Sequence, residues 1–262
     1  MLKKGFSVFM TLIFALLFLW TNSNAESPKE ITVSAAISLK NAFEEIGKIF
    51  QKRHKGVKVL LNFGASGDLQ QQIEAGAPID VFASASAKEM DELDRKNLII
   101  KDTRVNFAGN VVVLISPSNS RLPLRSFNDL QKKEVKRIAI GNPMTVPVGM
   151  YSEEILIHFN LWDVLKNKFI LAENVRQVLD YVARDEVDAG IVYSTDARVR
   201  PKEVKVVMQA PEGSHRPMVY PIAVIKGTKN EMPAREFIST VVSKEGEKVL
   251  QRYGFKLIRQ AE

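Results

Sequence analysis

The chain has 262 residues, a formal net charge of +7, no cysteine, and 45% apolar residues. That apolar share excludes a disordered chain, and without disulfides the fold must rest on its own core. The positive charge is dispersed: its densest stretch, Lys132–Arg137, is interrupted by Glu134 and preceded by Asp129. This is the make-up of a solvated face and excludes a nucleic-acid partner.

The N-terminus carries Lys3 and Lys4, then an apolar run from Phe6 to Trp20, then Ser23-Asn24-Ala25. A basic start, a short apolar core and a small-x-small exit predict a secretory signal peptide over residues 1–25. The run falls short of the roughly 20 apolar residues that a spanning helix needs. About 237 residues follow, enough for one large domain or two modest ones. The missing cysteine excludes a lipoprotein-type anchor, so an exported, unanchored protein points to a periplasm.

From residue 29 onward, short apolar strands alternate with amphipathic helices. Ile31–Val33 reads as a strand. Leu39, Ala42, Phe43, Ile46, Ile49 and Phe50 then recur at helical spacing until Gly56. Val57–Phe63 is a strand, a helix follows through Leu69, Ile73 and Ala75, and Asp80–Ala83 is a third strand before a helix bearing Met90 and Leu93. The rhythm resumes with a strand at Arg137–Ile140, a helix over Glu153–Phe159, a helix over Val175–Arg184 and a strand at Ala189–Tyr193. Such alternation predicts an α/β fold with mostly parallel sheets. Asn110–Ile115 and Tyr220–Ile225 are long, apolar and preceded by no clear helix, so they are read as hinge strands crossing between two lobes. The first lobe would comprise residues 26–109 and 222–262, closed by a helix over Val249–Phe255. The second would be the inserted segment 110–221.

In open α/β sheets, ligands bind beyond the carboxyl ends of the strands, where first-turn helix N–H groups point outward without internal partners. Four joints qualify here: Ser34–Leu39, Phe63–Leu69, Gly141–Tyr151 and Glu173–Arg176. Ordinary helix capping by Ser and Asn is the competing role at each of them. No catalytic set stands out. His54, His158 and His215 lie in unrelated contexts without metal-ligand spacing. Gly64-Ala65-Ser66-Gly67 is only part of a nucleophile elbow, because Asp68 stands where the final glycine belongs. A secreted serine hydrolase using Ser66 is therefore the remote alternative.

Three segments carry a more specific pattern: Ser34-Ala35-Ala36-Ile37-Ser38-Leu39, Gln72–Pro78 with Asp80-Val81-Phe82, and Gly141-x-Pro143-x-x-Val146-Pro147-x-Gly149-x-Tyr151. Glu173-Asn174-Val175-Arg176, Gly190-Ile191-Val192-Tyr193-x-x-Asp196-Ala197 and Arg252-Tyr253-Gly254-Phe255 extend it. In this order the chain resembles the periplasmic molybdate-binding proteins of ABC importers, over essentially its whole length after residue 25. The resemblance implies a type II periplasmic binding protein, two-lobed, that is monomeric, is not an enzyme and needs no cofactor. Its implied partners are molybdate or tungstate and the membrane permease and ATPase of an importer. It implies ligand contacts at Ser38 and Ser66 in the first lobe and at Val148, Val175 and Tyr193 in the second, with no direct metal-ion ligand and no catalytic residue. Ile37 and Val148 depart from the smaller alanine common there. Val148 keeps its backbone donor while narrowing the wall, and Arg176 is expected to face solvent. A cage of donors suits a dianion that holds no proton at neutral pH. Sulfate or another small anion on the same scaffold is the nearest alternative.

Overall fold

The computed structural model describes residues 29–258 of the chain; the expected signal peptide at 1–25 lies outside them. Two mixed sheets with interspersed helices make up the fold. The first sheet begins with β1 (Lys29–Ala36), whose Ile31, Val33 and Ala35 are fully buried, as suits a central parallel strand. β2 (Val57–Gly64) and β3 (Val81–Ala83) flank it in parallel. β2 is an edge strand and alternates half-buried Val57, Val59 and Leu61 with exposed Lys58, Leu60 and Asn62. Helices α1 (Lys40–Arg53) and α2 (Ser66–Glu74) connect these strands, and α3 (Ala87–Arg95) follows β3. α1 turns Ala42, Phe43, Ile46 and Phe50 onto the sheet, where Phe43 and Phe50 pack edge-on against Phe237.

After β4 (Val105–Gly109) the chain passes to the second sheet, entering it as β5 (Val112–Pro117). There β6 (Ile138–Gly141), β7 (Phe169–Ala172) and β8 (Ala189–Tyr193) form a parallel trio, with β5 antiparallel to β8 and to β9 (Val204–Gln209). Helices α4 (Pro147–His158), α5 (Trp162–Leu165), α6 (Val175–Ala183) and α7 (Ser194–Ala197) belong to this half. The chain then returns as β10 (Tyr220–Val224), antiparallel to β3 and β4. It ends in α8 (Glu231–Val241), α9 (Lys244–Arg252) and β11 (Lys256–Leu257).

The strand orders are β11-β4-β10-β3-β1-β2 and β7-β6-β8-β5-β9. Each sheet is thus a parallel trio extended by an antiparallel strand that the chain enters directly from the other half. Those entering strands are the two long β-branched runs. Neither is shared between the sheets: buried Val112–Ile115 finds its partners in β8 and β9, and Tyr220–Val224 in β3 and β4. The crossings are instead short connections at residues 110–111 and 210–219. Tyr220 and Pro221, grouped with the second lobe on sequence, pair in the first sheet.

Two helices begin earlier than their periodicity indicates. The helix expected from Glu153 starts at Pro147, since proline at the first helical position has a suitable fixed φ and lacks only an N–H that would go unpaired. The closing helix starts at Lys244, where the Ser243 hydroxyl accepts from Gly246 N–H.

Candidate functional site

The carboxyl ends of all six strands in the two parallel trios converge on one cleft. Ala36, Gly64 and Ala83 end β1, β2 and β3, while Gly141, Ala172 and Tyr193 end β6, β7 and β8. A small pocket lies there, and Ser38, Ser66, Val148, Val175 and Tyr193 all line it. The five positions singled out on sequence therefore meet in one place. None of the pocket's lining residues carries a charge.

The local architecture explains why these groups face inward. α4 approaches β6 so closely that a Cβ on Gly149 would stand 2.2 Å from the Gly141 carbonyl oxygen. Only glycine permits this approach, and it brings the first turn of α4, with the Val148 N–H, to the cleft. Val175 opens α6, whose cap is Asn174: its side-chain oxygen accepts from the N–H groups of Arg176 and Gln177. Asn174 thus caps the helix, and the cap leaves the Val175 N–H outside that arrangement. Ser38 and Ser66 make no such cap. Ser66 Oγ instead accepts from Ala85 N–H at 3.0 Å, so its own proton is free to point into the pocket. Ser38 Oγ lies 3.2 Å from Tyr220 Oη. Tyr193 Oη lies 3.5 Å from the Ala85 carbonyl oxygen, the outer limit of a hydrogen bond, and burial holds the phenol well above its ordinary pKa, so its one proton stays in place and can turn from that long contact to an anion in the pocket.

The lobes touch around the pocket. Gly67 N–H donates to Thr145 O at 2.9 Å, where a Cβ on Gly67 would stand 2.6 Å from that oxygen. On the opposite flank Arg176 departs from its solvent-facing expectation. Its guanidinium is largely covered, donates to Asn41 Oδ1 of the first lobe at 3.0 Å, and pairs with the fully buried Asp196 at 2.5 Å. That ion pair is close, although the Nε–H points off the line to the oxygen. Burial pushes the Asp196 carboxyl up to about 6, with Arg176 partly offsetting it. The buried Glu89 carboxylate is taken up by the Ser84 and Ser86 hydroxyls and does not line the pocket.

Nothing around Ser66 resembles a nucleophile with its base. None of the three histidines lines the pocket: His54 stacks on Phe50, while His158 meets Phe159 and His215 meets Tyr151 edge-on. Among the described residues no group of three or more His, Cys, Asp or Glu is placed to hold a metal ion, and no helix is long and apolar enough to cross a membrane.

The model for bacterial extracellular solute-binding proteins matches residues 31–256. This chain belongs to that family. Among solute-binding relatives, the molybdate-binding protein ModA of Escherichia coli is 40% identical over 242 residues, which cover 90% of this chain and 92% of that protein. The periplasmic molybdate-binding protein of Azotobacter vinelandii superposes with a TM-score of 0.77 at 25% identity, covering 87% of this chain and 100% of that one. The sulfate-binding protein SubI of Mycobacterium tuberculosis gives a TM-score of 0.76 at 16% identity over 88% and 87% of the two chains; that likeness concerns the fold alone. Sequence reasoning missed Ala85, Asn110, Thr195 and Tyr220, which touch the site residues or their partners. The only signal was position, and only for two of them: Asn110 lies in the first crossing and Tyr220 directly follows the second.

Proposed function

We propose that this solute-binding protein captures molybdate, and tungstate with it, and delivers the anion to the permease and ATPase of an ABC importer. It acts in the periplasm as a monomer, without a cofactor and without catalysis, its lobes closing about the crossings near residues 110 and 220. The observation that carries the reading is the pocket itself: uncharged, set between the lobes, and lined by hydroxyls and the starts of two helices. The identity to molybdate-binding relatives over nearly the whole chain supports it.

The chemistry follows from the donor set. Molybdate and tungstate are dianions that hold no proton at neutral pH, so every oxygen accepts and none donates. The hydroxyls of Ser38, Ser66 and Tyr193 and the N–H groups of Val148 and Val175 each have a proton to give to the anion, and the Ser38 and Ser66 oxygens accept from protein groups behind the pocket. Helix N-termini add partial positive charge without a buried cation. Phosphate usually retains one proton at this pH and needs an acceptor, which no carboxylate in the lining provides. Sulfate carries the same charge as molybdate but is smaller, so the spacing between donors must reject it. Lobe closure brings the second lobe's amides onto an anion already held by the first.

Isothermal titration of the protein with molybdate, tungstate, sulfate and phosphate tests this reading. Tight binding of the first two with weak or silent binding of the others is expected. Strong sulfate or phosphate binding with silent molybdate contradicts it.

A further inference from the structure

A polar chain behind the pocket links the crossing between the lobes to Ser38. Asn110, in the crossing itself, uses all four of its side-chain hydrogen-bonding places. Its Oδ1 accepts from Val111 N–H at 2.9 Å and from Ser194 Oγ at 3.2 Å, while its Nδ2 donates to Thr195 Oγ1 at 2.9 Å and to Tyr220 Oη at 3.1 Å. Because the Val111 N–H can only donate, the orientation of the amide is fixed. Tyr220 Oη must therefore accept from Asn110, and the phenol's own proton needs an acceptor elsewhere. Ser38 Oγ, at 3.2 Å, is its acceptor among the described residues. Tyr220 is fully buried and burial raises its pKa far above the ordinary value, so that proton is always present. Leaving it unpaired would strand a buried donor. With Ser38 Oγ accepting from Tyr220, the Ser38 proton is turned into the pocket.

We infer that Tyr220, oriented by Asn110, is a positioning residue that fixes the Ser38 hydroxyl as a donor to the bound anion. This rests on the anion-binding reading of the pocket. Neither residue lines the pocket, and each acts through the next along the chain.

A double-mutant cycle read by molybdate titration tests the inference. Ser38→Ala should weaken binding about ten-fold, the loss of one hydroxyl donor to a charged ligand. Tyr220→Phe should weaken it by about five-fold in the parent protein and by less than about two-fold in the Ser38→Ala background. Asn110→Ala keeps the phenol but releases its orientation, and its effect should vanish in the same background; it serves as the second variant if Tyr220→Phe folds poorly. Penalties that multiply fully with Ser38→Ala would overturn the inference, as would unchanged affinity in Tyr220→Phe. Unchanged affinity in Ser38→Ala alone would instead overturn the placement of the anion.

Discussion

The two lobes reach the same pocket with different chemistry. The first offers side chains, the hydroxyls of Ser38 and Ser66. The second offers backbone N–H groups at the starts of two helices, carried by valines whose side chains contribute only wall, together with the phenol of Tyr193. The hydroxyls and the phenol are therefore open to substitution, whereas the two amides of the second lobe survive any side chain that leaves the N–H in place. A binding residue need not be polar when its peptide group is the donor.

The largest break in this comparison comes from removing a backbone donor. Val175 is the first residue of its helix and follows the extended Asn174, a place where proline fits both helix and predecessor. Val175→Pro should keep the fold and weaken molybdate binding by about 50-fold, the loss of one N–H to a charged ligand in a closed pocket. Calorimetry, with circular dichroism for the fold, reads both parts. Ser66→Ala should cost about ten-fold in affinity. It also lowers stability by about 1–3 kcal/mol, because the buried Ala85 N–H loses its acceptor. Denaturant melts of the ligand-free protein check the second effect separately from the first.

Val148→Ala should sit at the small end, changing affinity by less than about three-fold, since the donor remains and only wall volume is lost. The comparison fails if this variant loses as much as Ser66→Ala. A final prediction concerns the flank where Arg176 reaches the first lobe. The folded pKa of Asp196 is raised to about 6 from an ordinary 3.8. The folded state thus binds the proton more tightly than the unfolded one does. The stability this contributes is present below about pH 4 and is lost as pH rises through 6. Stability measured against pH in the parent and in Asp196→Asn should show that slope only in the parent.

What could be read from sequence, and what could not, divides by distance along the chain. The strand-to-helix joints are local: small residues, hydroxyls and glycines within a few positions announce them, and Ser38, Ser66, Val148, Val175 and Tyr193 all arrive where those joints meet. The start of the helix at Pro147 was less legible, because Pro-Val-Gly reads as a loop until Gly149 is seen against the Gly141 carbonyl. The strands Val105–Gly109, Phe169–Ala172 and Val204–Gln209 and the helix Glu231–Val241 carried no period strong enough to mark them. The buried pair of Arg176 and Asp196 was hidden for another reason: charge alone reads as surface until burial is known. The network through Asn110 was least visible, since its partners Thr195 and Tyr220 lie 85 and 110 residues away.

The most direct measurement is a crystal structure of the molybdate complex, with the metal located by its anomalous scattering. The account predicts one molybdenum atom in the pocket, its oxygens accepting from Ser38 and Ser66 Oγ, Tyr193 Oη and the N–H groups of Val148 and Val175. A molybdate seated elsewhere, or one held by arginine or lysine side chains, would contradict it.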